Sequence, residues 1–114
     1  MENLIYNELR LRGLSVDVGS VTRTERNEQG NSVRRQLEVD FVCNLGYKRW
    51  YIQSALALPT QEKVDQEVAS LRSIGDSFRK IVITGGLSPT YQNEEGIFFL
   101  NILDFLKDEN SLNL

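Results

Sequence analysis

The sequence predicts a mixed α/β fold, a β-sheet flanked by helices in the order α-β-β-β-α-β-β-α. Three patterns carry that prediction. Residues 35–43 alternate apolar Leu37, Val39, Phe41 and Cys43 with Gln36, Glu38, Asp40 and Val42, the two-residue period of a strand with one buried face. Residues 61–74 place Val64, Val68, Leu71 and Ile74 on one helical stripe. Just before Gly85 and Gly86, Ile81, Val82 and Ile83 run without interruption, as expected of a strand buried on both faces.

The remaining elements fall between these. Leu4, Ile5, Leu9 and Leu11 give residues 2–12 a helical spacing, and Gly13 supplies the stop. Val16, Val18 and Val21 mark a short strand over 15–21. Residues 22–36 are polar, contain Gly30 and Asn31, and read as a solvated hairpin tip or long loop. A turn through Asn44, Leu45 and Gly46 leads to a strand over 48–58, antiparallel to its predecessor. It sets Trp50, Ile52, Ser54 and Leu56 on one face and Tyr51, Gln53, Ala55 and Ala57 on the other. Thr60 is placed to cap the second helix, with Lys63 where a capping box would have glutamate. After the strand over 79–84, a last strand over 96–102 runs into a short helix around 103–107, and the crossing through the second helix should be right-handed.

With 114 residues the chain holds enough material for one core, so residues 1–114 read as a single domain. A net charge of -3 argues against recognition of nucleic acid by bulk charge, though not against a local basic patch. The absence of histidine removes the usual zinc sets and histidine-dependent triads, and a lone Cys43 excludes an intrachain disulfide. Any catalysis would rest on carboxylates, lysines or hydroxyls. No apolar run approaches the roughly 20 residues that span a bilayer, and no basic segment with an apolar core opens the chain. A cytoplasmic protein without membrane association is expected. Because the first helix starts almost at Met1, the chain reads as a domain excised from a longer protein.

The sharpest chemical pattern is Glu38-Val39-Asp40 on one strand beside Tyr51-Ile52-Gln53-Ser54-Ala55 on the next. Alternation puts Glu38 and Asp40 on one face, and Gln53 and Ala55 likewise. Together with Glu2-Asn3-Leu4-Ile5-Tyr6-Asn7-Glu8-Leu9, Arg12-Gly13 and the ending Leu103-Asp104-Phe105-Leu106, this resembles a domain of unknown function with a PD-(D/E)XK nuclease-like fold, found at the C-terminal end of bacterial and archaeal AAA+ ATPases. The resemblance implies a restriction endonuclease-like core, an N-terminal ATPase domain of the same protein as partner, and ATP bound on that other domain. It also implies a site in which Glu2 and Asp40 match two acids, while Gln53 stands where the acid of Glu-X-Lys would be and Ala55 where its lysine would be.

An amide in place of an anionic oxygen and a methyl in place of a cation remove both metal affinity and a catalytic group. No catalytic residue is therefore expected, and Glu2, Glu38, Asp40, Gln53 and Ala55 form a remnant site. No cofactor is expected in this chain; Mg²⁺ would enter only if the remnant were active, with Asp40 as its ligand. Plainer readings stand beside these. Asp40 also suits a solvent-facing strand position, Glu2 and Glu8 a solvated helix, and Trp50 and Phe41 a core. Gly85-Gly86 lacks the longer glycine pattern and lysine of a phosphate loop.

Arg23, Arg26, Arg34, Arg35, Lys48 and Arg49 are the candidates for contact with nucleic acid such as DNA, although Glu25 and Glu28 interrupt them and a charged hairpin is often simply solvated. Three functions follow: a catalytically degenerate recognition module for nucleic acid or protein; an active metal-dependent nuclease using Glu2, Glu38 and Asp40 with a migrated Lys48, Lys63 or Lys80; and a homodimerising structural domain. The last is suggested by apolar runs at 81–83 and 97–100 that would suit an exposed edge as easily as a buried strand.

Overall fold

Ile5 and Leu9, one turn apart, are the residues by which helix α1 (Glu2–Leu11) reaches the core, while Leu4 and Leu11 stay exposed. Gly13, at φ +83°, ends the helix: its N–H and that of Leu14 return to the carbonyls of Arg10 and Leu9. The computed structural model describes residues 2–55 and 60–113. Six strands follow α1: β1 (Ser15–Arg26), β2 (Ser32–Leu45), β3 (Lys48–Ala55), β4 (Arg79–Thr84), β5 (Tyr91–Gln92) and β6 (Phe98–Asn101). Helix α2 (Gln61–Arg72) links β3 to β4, and helix α3 (Ile102–Lys107) follows β6, with a closing 3₁₀ turn over Ser111–Asn113.

The strands form one mixed sheet in the order β1-β2-β3-β4-β6-β5. Strands β1, β2 and β3 are antiparallel neighbours, β3, β4 and β6 run parallel, and β5 returns antiparallel to β6. The predicted order therefore lacks one strand. Strand β5 has only two residues, too few for a period to show, and is fixed by the Tyr91 ring stacked on Phe99 with centroids 4.9 Å apart.

Alternation along β4 divides the core into two layers. Ile81 and Ile83 pack with Ile5, Leu9, Trp50, Phe41 and Phe105 on the α1 and α3 side, whereas Val82 packs with Tyr51, Ala55, Phe99, Val68 and Leu71 under α2. Trp50 and Phe41 are thus core aromatics. Val64, Val68 and Leu71 of α2, with Ile74 just past its end, all join or pack against the second layer. Thr60 caps α2 by accepting the Lys63 N–H, and Asn101 caps α3 by accepting the Leu103 N–H. Runs 81–83 and 97–100 are buried strands, as the first reading of 81–83 has it, and the alternative of exposed edges is corrected: every one of these residues is buried, because β4 is central and β5 covers β6. Among the described residues no helix is long and apolar enough to cross a membrane. Positions 56–58, read from sequence as the end of the third strand, lie outside the described residues.

Of the two readings of residues 22–36, the hairpin holds and the long loop does not, and the paired strands reach much farther than a tip. β1 and β2 stay paired out to Arg26↔Ser32, and Asn27 closes the turn by accepting the N–H groups of Gln29 and Asn31 through its side chain. Since β3 pairs with β2 only between Phe41 and Leu45, the distal halves of β1 and β2 form a free two-stranded arm. The molecule is accordingly elongated, 49 × 33 × 25 Å.

At the base of that arm the two-residue period of β2 breaks. Asp17 pairs with Val42 and Gly19 with Val39, so Asp40 and Phe41 together oppose Val18 alone. Val39 and Val42 consequently both turn toward the α2 layer, while Phe41 and Cys43 keep to the other. Glycine suits the position opposite this bulge, because a Cβ at Gly19 would run into Val42 Cγ2 and force that side chain to move. Buried Cys43 is no nucleophile: burial, with help from Asp17, pushes its thiol up to about 12.

Candidate functional site

The ladder between β2 and β3 ends at Phe41↔Ile52, just where the bulge turns β2 aside. Two side chains continue it. Gln53 Oε1 accepts the Asp40 N–H at 2.7 Å, and Gln53 Nε2 donates to Ser70 Oγ at 2.8 Å and to the Glu38 carbonyl at 3.1 Å, with the Glu67 carbonyl at 3.4 Å. In return Asp40 Oδ2 accepts the Ser54 N–H at 2.8 Å. Gln53 thereby acts as an inserted peptide group, joining β2, β3 and α2 in a buried polar bridge. Only an amide serves here, since one end must accept from an N–H and the other must donate to oxygens.

The remnant site therefore splits. Asp40 and Gln53 are brought together, and Gln53 and Ala55 both turn toward α2 as alternation requires, with the Ala55 methyl packed in the layer that contains Val68 and Val82. Glu38 contributes its backbone carbonyl, but its residue is exposed at the base of the arm opposite Ser20. The Glu2 side chain lies outside what is described, and the buried residues of α1 pack on the sheet face opposite α2. Of the three lysines considered for migration, Lys48 sits at the β2–β3 turn opposite Leu45, and Lys80 donates to the carbonyls of Asp76 and Phe78. Lys63, in the first turn of α2, is the one whose charge reaches Glu67. Among the described residues no three histidine, cysteine, aspartate or glutamate side chains converge as a metal site.

Two participants, Glu67 and Ser70, had no sequence signal. They are three residues apart on α2 and meet Gln53 only through tertiary packing. Burial raises the Glu67 carboxyl above its ordinary range, the Asp40 charge raises it further, and Lys63 opposes both. For an acid whose folded-state value is raised, the folded form holds the proton longer. Stability is then lost as pH rises from the ordinary carboxylate range through that raised value. Glu67→Gln is expected to flatten this part of the stability profile and to leave the domain no less stable at pH 7. Urea unfolding at a series of pH values between 4 and 7 checks this, and an unchanged slope in the variant would exclude the assignment.

The six basic candidates do not form one patch. Lys48 and Arg49 lie at the β2–β3 turn, at the opposite end of β2 from the arm's tip. Arg49 is also engaged, donating to Asn44 Oδ1 at 2.8 Å and to Tyr51 Oη at 3.4 Å, and Tyr51 in turn donates to Asp76 at 2.5 Å. Arg23, Arg26, Arg34 and Arg35 are all on the arm, but pairing of Arg23 with Arg35 and of Thr24 with Arg34 places them two to a face.

No known family profile matches the chain. It is similar to an uncharacterized protein of Haemophilus influenzae, at 31% identity over 108 residues. That likeness covers 93% of this chain and 22% of the relative, so the chain spans about a fifth of the relative's length.

Proposed function

We propose that this chain is a nuclease-fold domain that recognises its target without cutting it, serving as an accessory module of a longer ATPase. The observation that carries the reading is the Gln53 bridge: the position that would hold the acid of Glu-X-Lys has its amide hydrogen-bonded at both ends within the protein, and Ala55 supplies a packed methyl. A restriction endonuclease-like core is supported by the meander β1-β2-β3 followed by a helical crossover to parallel β4, with Asp40 at the point where β2 and β3 part. The ATPase partnership rests on the sequence resemblance, and the much greater length of the Haemophilus influenzae relative leaves room for it.

Incubation of the purified chain with plasmid DNA or single-stranded RNA in Mg²⁺ or Mn²⁺ tests the proposal. Turnover should not exceed that of an Asp40→Ala control. Metal-dependent cleavage that this substitution abolishes would overturn it.

A further inference from the structure

The two faces of the arm differ in chemistry. Partners in an antiparallel ladder project to the same side, so Arg23, Glu25, Val33 and Arg35 share one face. There Glu25 holds both cations, with Arg23 Nε at 3.1 Å and Arg35 Nε at 3.6 Å, and Arg23 also lines a cleft beside Glu62 and Asp65 of α2. The other face carries Thr22, Thr24, Arg26, Ser32, Arg34 and Gln36 along the arm and, one step nearer the sheet, Ser20 opposite the exposed Glu38. No acid occurs among the six along the arm, all are exposed, Gln36 Nε2 donates to Thr22 Oγ1 at 3.1 Å, and the side chains of Arg26 and Arg34 make no ion pair or hydrogen bond among the described residues.

We propose that the distal stretch of this face, beyond Glu38 and without an acid, docks on the phosphate backbone of duplex DNA, Arg26 and Arg34 neutralising neighbouring phosphates while the hydroxyls and the Gln36 amide hydrogen-bond beside them. The inference deepens the recognition reading above and rests on it. Charge complementarity selects the partner: Arg34 and Arg26 sit on a cross-strand diagonal, about 7–8 Å apart at Cα, and are free to take anionic oxygens. Shape agrees, since a two-stranded ribbon is among the elements that the major groove of B-DNA admits. The net charge of -3 on the whole chain leaves attraction to be local rather than global, so binding should be weak and steeply dependent on salt.

The opposite face provides a control of equal charge. The 114-residue chain is titrated into a fluorescein-labelled DNA duplex of about 20 base pairs, roughly 68 Å long, and followed by anisotropy at increasing salt. Arg26→Gln with Arg34→Gln is expected to weaken binding by roughly tenfold per arginine near 50 mM salt and to make the log–log salt slope shallower by about two. Arg23→Gln with Arg35→Gln, with the same charge change, is expected to bind as the parent does within about threefold. Both variants change exposed residues, and matching thermal transitions confirm that they fold. Equal losses in the two variants, or no loss in the first, overturn the inference. So does a parent chain that binds no duplex at low salt, an outcome that leaves the non-hydrolytic reading, tested separately with Asp40→Ala, where it stood.

Discussion

Gln53→Glu is expected to destabilise the domain by about 3–5 kcal/mol at pH 7, although it restores the acid that a metal-dependent nuclease would carry at this position. The size follows from the bridge. Nε2 now gives its protons to Ser70 Oγ and the Glu38 carbonyl, with the Glu67 carbonyl nearby, and a carboxylate would turn an acceptor toward backbone carbonyls that can only accept. It would do so in a buried position beside Asp40, whose charge already disfavours ionisation of Glu67. The sign of the pH dependence is fixed by the same surroundings. Burial and like charge raise the introduced acid in the folded state, so the loss is largest at neutral pH and is relieved as pH falls through that raised value. A neutral substitution such as Gln53→Leu also orphans the Asp40 N–H, but its loss should not follow pH in this way. Urea unfolding at pH 7 and pH 5 separates the cases. A Gln53→Glu variant as stable as the parent, or one that gains stoichiometric Mg²⁺ binding, would show that position 53 is an open ligand site and would remove the principal support for a non-cutting domain.

How far these features were legible in the sequence depends on which were local. The α2 stripe, the stop at Gly13 and the buried run at 81–83 were all readable, because each is written by neighbours within one or two turns of chain. The arm was not. Thr22, Arg23, Thr24, Gln36, Arg35 and Arg34 are exposed on both faces, so the ladder that joins them leaves no apolar period, and polarity alone does not separate a hairpin from a loop. The bulge escaped for the opposite reason: Val39, Phe41 and Cys43 alternate faultlessly in sequence, and only the pairing of Asp17 with Val42 and of Gly19 with Val39 shows that Asp40 and Phe41 occupy one step of the ladder. That single step decides the site. It turns β2 away from β3, opens the gap that Gln53 fills, and converts a residue that reads as a lost ligand into the link between two strands and a helix.

Arg12→Ala is expected to cost about 3 kcal/mol, although its charge and its place beside Gly13 would by themselves suit a solvated helix end. Its side chain is 8% exposed, an unusual setting for a guanidinium. Nε donates to Glu8 Oε1 at 3.0 Å, Nη1 to Ser111 Oγ at 3.0 Å and Nη2 to the Phe105 carbonyl, while the guanidinium lies 4.5 Å over the Phe105 ring. One planar group thus ties the end of α1 to the end of α3 and to the closing 3₁₀ turn, bridging segments 93 and 99 residues apart. Removing it leaves Glu8 without its cation and takes a charged donor from the Phe105 carbonyl, for which Ser111 Oγ is the remaining side-chain donor. Lysine cannot substitute, because a point charge on a flexible stem cannot present three separate donors in one plane and cover an aromatic ring. Arg12→Lys should therefore recover less than half of the loss. The damage should also be local: amides of α3 and the 3₁₀ turn should exchange faster, whereas those of β3 and β4, at the centre of the sheet, change only with global stability. Uniform acceleration across the sheet, or full recovery with lysine, would mean that Arg12 acts through charge alone rather than as the clasp between the two ends of the fold.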